Sequence, residues 1–182
     1  MSNCSLNLMK PAEFFRGQVC QAADSLNLKL DDQVEFYLVN LLCDFIHPFQ
    51  NEEDGELFEK PLAVLLKEAL ESSPGVQLKL LKKLGDNSLY IAGFFQDFFK
   101  KKTYPIGYYI NMGSSAYQNV SNIFKLEHKD PSFYLMYDDL SNEFENLVDI
   151  VSEVAERSQS TDLLNQSKFD MESIEKYLIV KS

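Results

Sequence analysis

A chain of 182 residues lies in the size range of one domain, and with 45% hydrophobic residues, among them 14 Phe and 9 Tyr, it carries too much core material for a disordered segment. The formal charge of −11 argues against nucleic acid, whose binding depends on clustered Lys and Arg neutralising phosphates. Cys4, Cys20 and Cys43 are odd in number and show no Cys-x-x-Cys spacing, which argues against a disulfide framework or a zinc knuckle.

The start, MSNCSLNLMKPAEFF, lacks the pattern of a secretory signal, and the purest apolar run, residues 36–46, falls short of the roughly 20 residues of a membrane span. A single helical domain over 1–182, cytoplasmic and without membrane contact, is the expectation. Charge is unevenly spread along it. Residues 127–175 hold thirteen acids against three bases, whereas residues 79–102 hold six lysines against Asp86 and Asp97.

In chain order, the first helix is predicted over 12–25, after Pro11, with Phe14, Phe15, Val19 and Ala22 near helical spacing. Asp31 and Asp32 cap a second, whose broad apolar face runs from Val34 to Ile46 before Pro48. The acidic NEEDGE reads as an exposed loop, and a third helix follows over about 56–71. Ser73 and Pro74 open a fourth, which Gly85 is expected to end as a C-cap. Asp86 would then cap a fifth, SLYIAGFFQDFFKKK, apolar nearly all round and therefore buried. A sixth spans about 108–124, and its small residues Gly113, Ser114, Ser115 and Ala116 would let another helix come close.

Asp130 and Pro131 open a long acidic C-terminal helix reaching about Arg157. Its residues Phe133, Tyr137, Leu140, Phe144, Leu147, Val151 and Val154 alternate by four and three, a heptad seam. Residues 158–169 read as a hinge or linker before a short terminal helix over 171–178. The predicted architecture is an all-α, irregular bundle of about seven to eight helices, with the second, fifth and sixth at its centre.

Two surfaces are candidates for function. The first is the C-terminal part of the seam, Leu147, Asp149, Val151, Glu153 and Val154, expected to project as an acidic-rimmed apolar interface. Its partner would be a basic protein or a second copy, the latter through a patch such as Lys82, Lys83 and Lys100 to Lys102. The second is a pocket. Asn40, Asp44 and His47 share one side of the second helix, and Tyr90, Tyr108, Tyr109 and Tyr117 could line an apolar cavity beside them. Core packing is the commoner use of such aromatics, and a polar outer stripe the commoner use of the three polar residues.

Neither a phosphate cradle nor a Gly-x-Ser-x-Gly nucleophile elbow nor a Glu-x-x-His element occurs, and no cofactor or metal is implied. His128, in LEHKDP, reads as an exposed residue of a charged turn. The segments EFYLVNLLCDF, LKLLKKLGDNSLYIAGFFQDFF and GYYINMGSSAYQNV resemble blocks of an uncharacterised family of small all-helical bacterial proteins of unknown function. That resemblance implies a soluble one-domain bacterial protein, and it carries no activity over to this chain. The function expected from the residues is that of a non-enzymatic protein–protein interaction or regulatory protein. A small-ligand-binding helical protein, possibly an enzyme, is the alternative.

Overall fold

The computed structural model describes residues 10–46, 61–96 and 105–158. Among these the chain is all helical: α1 (Pro11–Ser25), α2 (Asp32–Ile46), α3 (Leu62–Glu71), α4 (Pro74–Phe94), α5 (Ile106–Leu126), α6 (Pro131–Asn142) and α7 (Phe144–Ser158). The predicted linker at 159–169 and the terminal helix lie outside the described residues, as do the NEEDGE loop, His47 and Lys100 to Lys102.

Local chemistry sets the helix ends. Asp31 Oδ1 accepts the Gln33 amide at 2.9 Å, as an N-cap should, and Asp130 Oδ1 does the same for Ser132 at 2.9 Å. Helices α1 and α5 both end on a residue of positive φ, Asn27 and His128. The amides of Leu28 and Lys129, just beyond them, turn back onto Ala23 and Phe124, closing a Schellman motif at each site. His128 is exposed in this turn, as its sequence context suggests.

Helix α4 is the hub. It packs against α3, α5 and α7, while α1 bridges α2 and α7 and α6 lies along α5. Every residue from Asn87 to Gly93 on α4 is buried, so the whole circumference of its C-terminal half is covered. The sequence led us to expect this burial, but as a separate helix beginning at Asp86. Instead α4 runs unbroken through Gly85, because Gly85 is used for closeness rather than for a turn. A Cβ there would lie 2.4 Å from Cε1 of Tyr117 on α5. Two further glycines serve the same end: at Gly93 a Cβ would lie 2.4 Å from Val151 Cγ1, and at Gly113 it would meet the Phe144 ring.

The acidic segment expected as one long helix is interrupted at Glu143 and forms α6 and α7. The division lets one apolar seam serve different neighbours. Helix α6 faces α5, where Ser141 Oγ donates to the Ser114 carbonyl at 2.8 Å, while α7 faces α4 and α1. The Phe144 ring at the junction fills the notch left by Gly113.

Candidate functional site

Four helices send polar aromatic or charged side chains to one point. Tyr37 comes from α2, Lys82 and Asp86 from α4, Tyr117 from α5 and Tyr137 from α6. Asp86 Oδ1 accepts the hydroxyls of Tyr37 at 2.6 Å and Tyr117 at 2.7 Å, and Oδ2 accepts Lys82 Nζ at 2.6 Å. The three phenol rings lie 5.7 to 5.9 Å apart, centroid to centroid, two of the pairs edge-on. Lys82 Nζ also stands 5.2 Å above the Tyr37 ring.

Electrostatics fix the protons of this cluster. Burial pushes the Tyr37 and Tyr117 hydroxyls well above the ordinary tyrosine range, and the neighbouring Asp86 carboxylate pushes them further. At Lys82 burial works against the charge, but Asp86 outweighs it and the net shift is upward. The phenols therefore stay protonated donors and the amine stays charged. Neither is poised as a base or nucleophile near neutrality; the Asp86 carboxylate ties α2 and α5 to α4, and Tyr137 of α6 packs its ring against both tyrosines.

A second carboxylate fastens α5 to α6. Asp138 Oδ1 accepts Ser121 Oγ at 2.7 Å and Gln118 Nε2 at 3.0 Å, while Oδ2 takes Lys125 Nζ at 2.6 Å. Partial burial opposes the charge on Asp138, but these three donors prevail and lower its pKa. The thiols of Cys20 and Cys43 are both raised, chiefly by burial, with Glu35 adding to the effect at Cys20 and Asp44 at Cys43, so neither is an activated nucleophile.

The expected pocket residues do not converge. Asn40 and Asp44 lie on the exposed side of α2, where Asn40 Nδ2 donates to the Phe36 carbonyl at 3.0 Å. Tyr90 is buried and stacked between Phe45 and Phe94, with centroids 3.9 and 4.5 Å away. Tyr109 is buried beside an exposed Tyr108, and Tyr117 belongs to the Asp86 cluster. Ring packs on ring here, so Tyr90, Tyr109 and Tyr117 are core, and Tyr108 alone of the four remains exposed. No group of three or more His, Cys, Asp or Glu among the described residues gathers where it could hold a metal ion.

The expected interface is also displaced. Leu147, Val151 and Val154 are fully buried, so they offer no apolar surface. Asp149 alone of the five is exposed, and Glu153 accepts Arg157 Nε at 2.8 Å along its own helix. The reason is that Val148, Ile150 and Ala155 widen the seam into a stripe covered on two sides by α4 and α1. It is the N-terminal end of the seam that opens to water, where Phe133 is 53% exposed.

The most distinctive exposed surface among the described residues belongs to neither candidate. From Ile106 to Phe124, α5 carries no charged residue at all. Its inner side is consumed by α4, α6 and α7, and its outer side exposes Tyr108, Asn111, Ser115, Asn119, Asn122 and Leu126 at intervals of three and four. Every described helix exposes at least one acid or base; in α5 the only one is Lys125, in the last turn, held by Asp138 Oδ2 of α6 at 2.6 Å. In the sequence its signal is a nineteen-residue stretch without charge, from Ile106 to Phe124, with the small residues Gly113 to Ala116 at its middle.

Comparison with protein-family models, with curated proteins and with solved structures returned no match. The resemblance drawn from the three helical blocks thus stands as a reading of the sequence. No helix among the described residues is long and apolar enough to cross a membrane.

Proposed function

We propose that this chain is a non-enzymatic interaction module, and that its recognition surface is the uncharged outer face of α5. The observation that carries this reading is the run of Tyr108, Asn111, Ser115, Asn119, Asn122 and Leu126 on a chain of net charge −11. Depletion of charge at the centre, with aromatic and polar-uncharged side chains in its place, is what distinguishes the core of an interface from ordinary surface. The groups that could otherwise have carried chemistry, Asp86, Asp138 and the buried tyrosines, are engaged with one another and hold helices together. Free thiols at Cys20 and Cys43 accord with a reducing, cytoplasmic setting.

The test is chemical cross-linking of a native extract containing tagged protein, which retains weak complexes, followed by size fractionation. The parent is expected to elute well above its 20.9 kDa mass, and Ser115→Arg, with an unaltered melting temperature, to elute at the size of the free chain. Elution unchanged by the substitution would remove the α5 face from consideration.

A further inference from the structure

Six of the seven exposed residues of α5 are arranged about a centre; the seventh, Lys125, turns aside to Asp138 of α6. Tyr108 and Leu126 stand nine residues either side of Tyr117, and Ser115 and Asn119 stand two residues either side of it. An antiparallel copy of α5 crossing at that centre sets Tyr108 of one helix against Leu126 of the other, and Ser115 against Asn119. Asn111 and Asn122 fall within one residue of facing each other, close enough for their amides to exchange hydrogen bonds. Tyr108 and Leu126, 42% and 80% exposed, would leave water together. Ser115, small and central, allows the axes to approach. Such a contact is isologous, the commonest way for identical chains to pair.

Charge narrows the choice of occupant. Two copies carrying −11 each repel wherever their acidic faces meet, and a helix face with no acid is where they can touch without adding to that repulsion. A basic partner gains nothing from such a face. It would be drawn instead to α7, where Glu145, Asp149 and Glu156 are exposed. The opposed dipoles of antiparallel helices favour the same arrangement weakly.

We propose that a second copy of this chain occupies the outer face of α5, through an antiparallel two-fold contact. This rests on the reading of that face as the recognition surface and names its partner. A helix of this length runs about 30 Å, and one face of it covers less than the roughly 800 Å² per partner of a standard interface. A contact of that size belongs with weak, transient encounters, and the expected dissociation constant is about 10 to 100 μM.

Sedimentation equilibrium of the purified full chain over about 5 to 500 μM brackets that constant. The mass of the parent is expected to climb from 20.9 kDa towards twice that value. Ser115→Arg alone and Asn119→Glu alone should each weaken association at least about tenfold. Their equimolar mixture should recover it, because only in the mixed pair do the introduced opposite charges face each other. A mixture no stronger than either variant would overturn the two-fold register, and a parent that stays at monomer mass throughout would overturn the second copy as partner. In the latter case the native extract separates the two readings. If Ser115→Arg still lowers the elution size there, the α5 face recognises a different protein. If it does not, both readings fall.

Discussion

Gly85 and Asp86 are adjacent on α4 and do opposite things for the same tyrosine. Gly85 removes the atoms that would strike the Tyr117 ring, and Asp86 accepts the hydroxyl at the ring's far end. Alanine is the better helix former, so Gly85→Ala would stabilise an exposed helix. Here its Cβ would overlap a fully buried ring tied down by a hydrogen bond, and we expect a net loss of about 1–3 kcal/mol in denaturant unfolding. An unchanged or raised stability would show that Tyr117 can move aside.

The tyrosines also predict a pH dependence, with its sign set by the direction of their shifts. Tyr37 and Tyr117 have folded pKa values above the unfolded value of about 10. Their contribution to stability is thus complete below that value and is lost as pH rises through the folded ones. Circular dichroism and tyrosinate absorbance followed together above about pH 10 should show the last phenols ionising only as helix is lost. If all 9 tyrosines titrate with helicity intact, the Asp86 cluster does not hold the fold as described. From the sequence Asp86 read as a helix cap, since an acid after a glycine commonly is one. Only the meeting of four helices reveals it as an acceptor for phenols 31 and 49 residues away.

At the scale of elements, periodicity carried most of the information. The helix over 32–46 was legible because a cap and a breaker bracket an apolar stripe, and the one over 12–25 because apolar residues recur at helical spacing after Pro11. The extent of α4 was not. A glycine inside a helix and a glycine ending one look alike until the neighbour that needs the space is known. The seam of α6 and α7 was legible as buried, but which end lay deeper depended on Val148, Ile150 and Ala155, which fall between the heptad positions. Leu147→Ala should cost about 2–5 kcal/mol, as a cavity between α7 and the helices covering it. Asp149→Lys, on the exposed side, should stay within about 0.5 kcal/mol of the parent. If the two variants differed little in melting temperature, α7 would not be the core element it is here.

For the molecule as a whole, composition and pattern foretold an all-α bundle, and the described residues form one of seven helices. The candidate surfaces fared differently, because a site depends on which faces remain uncovered after packing, and that is a property of neighbours. Residues with chemical potential, the tyrosines and Asp86 above all, were absorbed into the core, and the acids of α7 were left as a solvated edge. Among the described residues the neutral face of α5 stayed exposed, beside scattered apolar side chains such as Phe36, Leu70 and Phe133.

Site-specific photo-crosslinking in the native cell weighs these alternatives directly. A photoreactive side chain placed at Asn119 on α5 is expected to give a discrete cross-linked species. The same probe at Asp149 on α7 should give none, both variants melting with the parent. A cross-link from Asp149 with none from Asn119 would contradict the account, and would place recognition on the acidic edge of the bundle instead.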